Sequence, residues 1–473
     1  MIHLRDISGE RIAVMGLGVS GLATARALSA SDARVLAWDD EEGRRTAAEA
    51  AGVTMTDLNS VDWSTIGTLI LSPGIPHSFP KPHPAAAAAA DAGTEIICDI
   101  ELLARAQPRA KYVGVTGTNG KSTTTALIGD ILRAGGCNVE IGGNLGPPVL
   151  GLAPLDADGI YLLELSSFQL ERINSLKLDV AVLLNLSPDH LERHGGLDGY
   201  VDAKLRILNG QTEQSTFVVG VDDERCQAIY EEYVDDGIQC VVPVSSTMPV
   251  RGGVYVLDGV LYDDQDERNE IVADLRTVAS LPGEHNWQNA AAAYAAATAM
   301  GVERSAIKTA LANFGGLPHR QEVIRKIDGV AYVNDSKATN AEAAGRALSC
   351  YPRIYWILGG EAKSDGIEPL RDRFPRIVHA FLIGAATEDF AATLDGEVPL
   401  TRAHDLETAV FLAGKMAAND SASPKAIVLL SPACASYDQF PSFVARGERF
   451  RTLVTALPEA NGDLPAKVFG GDA

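Results

Sequence analysis

The sequence predicts an α/β protein of three domains. The first is Rossmann-like, the second is a P-loop domain with a mostly parallel sheet, and the third is a doubly wound α/β domain. Three observations predict this. Strand-length apolar runs alternate with helical periodicity along the chain, the pattern of parallel sheets. Gly16-Leu17-Gly18-Val19-Ser20-Gly21 joins a strand to a helix, and so does Gly114-Val115-Thr116-Gly117-Thr118-Asn119-Gly120-Lys121-Ser122-Thr123-Thr124. At 473 residues the chain is also too long for one core.

In the first domain, Arg11 to Met15 reads as a strand, and an amphipathic helix follows the glycines through Leu28. A second strand, Val35 to Trp38, ends at Asp39-Asp40. An acid roughly 20 residues after a GxGxxG turn is the dinucleotide-fold arrangement. The same glycines also fit a tight turn that packs helix on sheet. A third strand, Thr68 to Leu71, ends in Ser72-Pro73-Gly74-Ile75, and an Ala-rich helix after Pro84 closes at Gly93.

The second domain opens with the strand Tyr112 to Val115 and its glycine loop. Leu127, Ile128, Ile131 and Leu132 follow at helical spacing, and Gly135-Gly136 ends the helix. Backbone N–H groups at such a helix start favour anions. Lys121 is placed to reach terminal phosphates, and Ser122 or Thr123 to hold Mg²⁺. Val115 stands where the general P-loop pattern has its first glycine. Gly142-Gly143-Asn144 follows a further apolar segment. The run Ile160 to Leu165 carries one carboxylate, Glu164, which is costly in a buried strand unless paired or metal-bound. The strand Val180 to Leu184 leads to Asp189-His190 and is expected beside the strand of Glu164. His194, with Arg193 and Gly195-Gly196, reads as a solvated loop. Lys204 lies on a helical segment, Tyr200 to Leu208, where a lysine ordinarily faces water. Val254 to Tyr262 reads as a hairpin around Asp258-Gly259. Asn286 and Asn289 open an Ala-rich helix and share a face, as helix caps or as contacts to a base or ribose.

Leu317-Pro318-His319-Arg320 marks the next boundary. Strands Val330 to Val333, Ile354 to Leu358, Ala380 to Ile383 and Ile427 to Leu430 alternate with helices. They run into Asp335-Ser336-Lys337-Ala338-Thr339, Gly359 to Ser364, and Ser431 to Phe440. The polar tail from Glu459 reads as loosely ordered.

Composition narrows the function. A net charge of −22 argues against a nucleic-acid-binding surface. It also requires that phosphate-binding cations be concentrated in one cleft. No apolar run approaches the ~20 residues of a membrane helix, and the N-terminus lacks a signal-peptide pattern. The six cysteines lack CxxC spacing, which suits thiols in a reducing cytoplasm.

Together TGTNGKST, LELSSFQLE, SPDH, HNWQN, GLPHR, NDSKATN, LGGEAKS and SPACASYDQF resemble the Mur ligases across almost the whole chain. The TGTNGKST loop is also similar to that of folylpolyglutamate synthetases, which lack the first domain. GLGVSG, SPGI and SPACASYDQF are similar to the D-glutamate-adding members. The resemblance implies a cytoplasmic, monomeric, ATP-dependent ligase of peptidoglycan precursor synthesis. It would join D-glutamate to UDP-N-acetylmuramoyl-L-alanine through an acyl phosphate. Residues 1–106 would bind the UDP substrate, the P-loop ATPase domain 107–316 would bind ATP, and 317–473 would bind the amino acid.

The same resemblance implies the roles of individual residues. Gly117, Thr118, Asn119, Gly120, Lys121, Ser122 and Thr123 would form the ATP loop. Asn286, Asn289, His319, Arg320 and Asp335 would contact the nucleotide. Ser122, Glu164, His190 and a CO₂-carbamylated Lys204 would hold two Mg²⁺ ions. Val19, Ser20, Asp39, Ser72, Gly74 and Asn144 would hold the UDP-sugar. Lys337, Thr339, Lys363, Ser436, Tyr437 and Phe443 would receive D-glutamate; Tyr437 stands where some relatives are expected to carry leucine. An NAD-dependent oxidoreductase with Asp39 on a ribose, or a non-catalytic nucleotide-binding module, are the readings from other classes. The first leaves the ATP loop, Glu164 and His190 without a role, and ADP release with and without substrates separates both from a ligase.

Overall fold

Three sheets form among the described residues, which in the computed structural model are 1–5, 7–362, 366–422 and 426–458. They divide into two units. One comprises Met1–Thr277 and Glu284–Phe314; the other comprises Val278–Gly283 and the chain from Gly315 onward. Lys363 and the tail from Glu459 lie outside the described residues.

The first unit begins with β1 (Arg11–Met15), β2 (Arg34–Trp38), β3 (Thr68–Leu71) and β4 (Glu95–Ile97). They form a parallel sheet in the order β2-β1-β3-β4. The chain leaves β1 on one side and returns on the other, which opens a crevice at the carboxyl ends. Both GLGVSG and SPGI lie at those ends. Glycine at position 21 is a packing requirement, since a Cβ there would collide with the carbonyl oxygen of Gly16.

The same unit carries nine further strands: β5 (Lys111–Thr116), β6 (Val139–Gly143), β7 (Ile160–Glu164), β8 (Val180–Leu183), β9 (Thr216–Gly220), β10 (Cys240–Ser245), β11 (Val254–Leu257), β12 (Val260–Asp263) and β13 (Glu270–Asp274). Their order is β13-β12-β11-β10-β9-β8-β5-β7-β6. From β10 to β6 the pairs are parallel, and β7 and β8 are buried along their whole length. That burial explains why both read as unbroken apolar runs rather than as alternations. The expected hairpin is β11–β12, turning through Asp258 and Gly259 at φ +49° and +79°. One expectation fails. The strand before His190 is not beside the strand of Glu164, because β5 lies between β8 and β7. After β5 the chain builds β6 and β7 on one flank, then crosses to start β8 on the other. The glycine loop thus sits at the switch point, with Glu164 and His190 following the strands on either side of it.

The helix Lys121–Ala134 packs against the helix Glu284–Ala299. Residues Ala290–Ala297 of the latter are buried all round, and all but Tyr294 are alanines, whose small side chains let the helices approach closely.

The second unit holds β14 (Glu322–Ile327), β15 (Val330–Asn334), β16 (Ile354–Gly359), β17 (Ile377–Ile383), β18 (Leu400–His404) and β19 (Ile427–Leu430). The order is β14-β15-β19-β16-β17-β18, parallel except for β14 against β15. Apolar cores cover both faces. β15 and β19 are neighbours, so the loops that start at Asp335 and Ser431 emerge side by side.

A buried carboxylate joins the two sheets of the first unit. Glu101, on the helix Asp99–Ala106, accepts the N–H groups of Asn174 (2.8 Å) and Ser175 (2.9 Å), the Ser175 hydroxyl (2.7 Å) and Arg105 Nε (2.8 Å). Burial alone would raise its pKa, but these donors outweigh it and hold the carboxyl below its ordinary 4.5. A depressed pKa contributes stability that is present above the unfolded value and lost as pH falls through the folded one. Glu101→Gln sets an amide NH₂ against donors, so thermal unfolding at pH 7 should show a loss of about 1–3 kcal/mol. That loss should shrink as pH falls through the depressed folded value, where the wild-type carboxyl also becomes protonated.

Candidate active site

The glycine loop is anchored from below before any ligand is considered. Thr118 N–H donates to Asn185 O (2.9 Å), and Asn119 N–H donates to Asn185 Oδ1 (2.9 Å). Thr118 Oγ1 meets Tyr200 Oη at 2.9 Å and accepts the Ser187 N–H at 3.0 Å. The loop therefore depends on the segment that follows β8. Gly120, the residue before the helix, has φ +87°, a left-handed conformation that glycine adopts without strain. A Cβ at Gly120 would also strike Asn289 Oδ1. Asn289 accepts from Thr124 Oγ1 (3.2 Å) and donates to Asn286 Oδ1 (3.2 Å), so both asparagines are tied to the phosphate-loop helix. Ser122 is buried and Thr123 half-buried on its first turn.

Two lysines converge on one carbonyl. Lys121 Nζ donates to Gly117 O (2.8 Å) and Thr118 O (2.9 Å). Lys204 Nζ also donates to Gly117 O at 2.8 Å, lies 3.4 Å from Thr116 Oγ1, and sits 4.8 Å from the Tyr200 ring centroid. Lys204 is only 2% exposed, which overturns the solvated-face reading. Burial, and then the charge of Lys121, push its pKa well below the ordinary lysine value. Glu164 ends β7 opposite Val115 and Gly143. Its Oε1 accepts from Asn144 Nδ2 at 2.6 Å, while Oε2 is buried without a hydrogen-bond partner. His190 is exposed, with φ +49°, 3.5 Å from Asp189 and 5.0 Å ring to ring from Phe168. Among the described residues no three His, Cys, Asp or Glu side chains gather as a metal cluster.

The first-domain candidates line the crevice of the first sheet. Leu17 N–H donates to Asp39 Oδ2 (2.6 Å), and Glu41 N–H to Oδ1 (2.9 Å). Asp39 thus braces the glycine turn with one oxygen and its own corner with the other. Ser72 Oγ donates to Gly16 O (2.9 Å) and links SPGI to that turn. Val19 is exposed, Ser20 and Gly74 have open neighbourhoods at intermediate or high exposure, and a Cβ at Gly74 would meet nothing within 4 Å.

In the second unit, Asp335 is buried and accepts from Ser431 Oγ (2.7 Å) and Gln321 N–H (3.2 Å). Burial raises its carboxyl to about 7, and Ser431, Gln321 and the charge of Arg320 oppose that rise. His319, at φ +62°, faces Asn334 Nδ2 at 3.0 Å, and burial lowers its pKa. Lys337 Nζ lies 4.0 Å over the Phe443 ring. Thr339 N–H donates to Lys337 O (2.9 Å); Ser436 is buried and Tyr437 is 72% exposed.

Two buried features escaped the sequence reading. His194 is not in a solvated loop: its Nδ1 meets Glu171 Oε1 at 2.7 Å and its Nε2 meets Ser167 Oγ at 3.0 Å. Arg446 is 1% exposed. It donates to Ser336 O (3.0 Å), Cys434 O (3.0 Å), Ala435 O (3.2 Å) and Ser336 Oγ (3.0 Å), joining the loops after β15 and β19. Its helix, Phe443–Ala456, also carries Arg449 and Arg451, so no local sequence signal sets it apart.

Among the described residues no helix is long and apolar enough to cross a membrane. The family described as Mur ligase middle domain matches residues 115–297. A UDP-N-acetylmuramoylalanine–D-glutamate ligase of Rhodospirillum rubrum is 51% identical over 97% of both chains. Another, of Paramagnetospirillum magneticum, is 52% identical over 97% of this chain and 99% of its own. A crystal structure of a UDP-N-acetylmuramate–alanine ligase from Thermotoga maritima superposes with a TM-score of 0.57 at 16% identity, over 94% of this chain and 99% of that one. That likeness extends the fold across all three sheets. With a glycine loop flanked by Glu164 and Lys204, and half of its residues shared along nearly its whole length, the chain belongs to the UDP-N-acetylmuramoylalanine–D-glutamate ligase family of Mur ligases.

Proposed function

We propose that the protein is an ATP-dependent ligase that joins D-glutamate to UDP-N-acetylmuramoyl-L-alanine, working in the cytoplasm as a monomer. The observation that carries this is the full-length identity of about half to ligases of that name. The convergence of Lys121, Lys204 and Glu164 on the glycine loop supports it. An oxidoreductase would leave that convergence unused.

A carboxylate is a poor electrophile and must be activated. An oxygen of the acceptor's alanine carboxylate attacks the γ-phosphorus of ATP, ADP leaves, and an acyl phosphate remains. The loop N–H groups and Lys121 hold the phosphates and spread the charge that develops. The amine of D-glutamate then attacks the acyl carbon, phosphate departs, and the amide remains after the amine loses its proton. Lys337, Lys363, Thr339, Ser436, Tyr437 and Phe443 would hold the dicarboxylate. Asn286, Asn289, His319, Arg320 and Asp335 would hold the nucleotide, and Val19, Ser20, Asp39, Ser72, Gly74 and Asn144 the UDP-sugar. The division into 1–106, 107–316 and 317–473 belongs to the same reading.

Ser122, Glu164, His190 and a carbamate on Lys204 would hold two Mg²⁺ ions, which supply charge neutralisation on the phosphates. The residues fit this group. Glu164 keeps one buried oxygen without a hydrogen-bond partner. Lys204 has an amine that burial and Lys121 push toward the neutral form, the form that reacts with CO₂. Few protein ligands suit Mg²⁺, which keeps waters and takes phosphate oxygens.

ADP release in the presence of UDP-N-acetylmuramoyl-L-alanine should require D-glutamate. Equal stimulation by L-glutamate or meso-diaminopimelate would reject the substrate, and activity dependent on NAD⁺ would reject the reaction class.

Lys204→Ala should lower turnover by about a hundredfold or more, the scale of losing one electrostatic stabiliser of the transition state. A short-chain carboxylic acid that fills the vacated space should restore part of it. With ¹³CO₂, wild-type protein should give a carbamate carbonyl resonance that Lys204→Ala lacks. A silent substitution, or the absence of that resonance, would count against the carbamate.

A further inference from the structure

Two arginines of the central region grip the loop after β3, and no role above uses them. Arg172 lies eight positions beyond Glu164 and is 1% exposed. Its Nη1 donates to Leu71 O and Ser72 O, both at 3.0 Å, and its Nη2 donates to Ile75 O at 2.5 Å. Arg193 lies three positions beyond His190. Its Nη1 donates to Phe79 O at 2.8 Å, and its Nη2 lies 3.3 Å from Ile75 O and 3.4 Å from Pro73 O. The Arg193 guanidinium also stacks 4.8 Å over the ring of Phe168, which is in the Arg172 segment.

The chemistry of this pairing is unusual. A buried arginine ordinarily meets a carboxylate; these two meet five backbone carbonyls, that of Leu71 at the end of β3 and four in the loop after it. Past β3 the chain leaves the ladder, and side-chain donors add to the pairing of its carbonyls, Ser72 O also accepting the Ile75 N–H at 3.0 Å. The counter-charge stands behind. Glu171 is bonded to His194 and lies 3.7 Å from His77. Burial would raise the Glu171 pKa, but His194, His77 and Arg172 outweigh it and hold the carboxyl below its ordinary range. Burial lowers Arg172 to about 10, which leaves it charged at neutral pH. The gripped loop carries Ser72 and Gly74, and Ser72 Oγ continues the linkage to the glycine turn at Gly16.

We infer that Arg172 and Arg193 are positioning residues for the UDP-linked acceptor: they hold the loop that carries Ser72 and Gly74 in fixed register with the segments that carry Glu164 and His190. The inference rests on the ligase reading and deepens it. Neither arginine needs to touch substrate. Each extends a chain segment that begins at a proposed metal ligand and ends on the acceptor loop, so the acceptor carboxylate and the phosphate site are set by the same two segments.

The test uses Arg193→Met, which keeps the stem over Phe168, and Arg172→Lys, which keeps the charge but cannot reach three carbonyls. Calorimetric titration with UDP-N-acetylmuramoyl-L-alanine should show affinity reduced by about tenfold or more in each variant. ATP affinity measured without acceptor should stay within about twofold, and amide hydrogen exchange at residues 71–79 should accelerate in the ligand-free protein. Unchanged acceptor binding in a variant that folds, unchanged exchange at 71–79, or an equal loss for ATP and acceptor would overturn the positioning role. Should Arg172→Lys fail to fold, Arg193→Met decides. Wild-type protein that fails to bind the acceptor would overturn the ligase reading itself, and this role with it.

Discussion

The carbonyl of Gly117 receives hydrogen bonds from two lysines, and much of the first unit follows from that crowding. Lys121 reaches it from the helix start and Lys204 from the helix Leu197–Leu205. Two ammonium groups at one oxygen repel each other. In a buried setting the cheaper outcome is loss of one proton, and Lys204, the more enclosed, is the one driven toward neutrality. Glu164, across the loop, keeps one oxygen without a donor. A site with one fixed cation, one amine ready to be neutral and one half-satisfied carboxylate suits anions bridged by a divalent ion. It suits a nicotinamide ring poorly.

Around that centre, buried charges are matched mostly to backbone rather than to opposite charges. Glu101 takes two N–H groups of the 174–175 turn, Asp39 takes two from the glycine turn and its own corner, and Arg446 takes three carbonyls. The reason is topological. Ligand loops at the carboxyl ends of parallel strands leave the ladder, and their polar groups need partners that do not come from neighbouring strands. A charged side chain from a packed helix supplies several strong hydrogen bonds at once and fixes a loop with one residue. The cost is that removing any one of them strands several polar groups together.

This also explains what was legible in the sequence. The glycine turns, the strand runs and the carboxylate at the end of β7 were readable because each has a local cause: left-handed backbone, two-sided burial, an acid in an apolar run. The β11–β12 hairpin was readable from Asp258-Gly259 for the same reason. Sheet order was not, because pairing β5 between β7 and β8 is a long-range choice, and the expectation that β8 adjoins β7 failed. The buried arginines were invisible because Arg172, Arg193 and Arg446 have the same local context as surface arginines. His194 was misread since Gly195-Gly196 signals a turn but not what covers it; Glu171 and Ser167 do. Lys204 drew attention through family likeness alone, and its burial is a tertiary fact.

The net charge of −22 leaves one physical question, how such a chain holds a triphosphate and two further acidic substrates. Screening answers part of it. At physiological ionic strength exposed charges fade beyond about 8 Å, so distant surface carboxylates contribute little inside a loop. Local charge answers the rest. In the first unit Lys121 places a charge at the phosphate loop itself, and in the second Lys337 sits over the ring of Phe443. An aromatic face attracts an ammonium without neutralising its charge. The acidic exterior then acts on encounter rather than on binding. It lowers the capture of polyanions in general, and it leaves discrimination to the few cations whose positions the fold fixes.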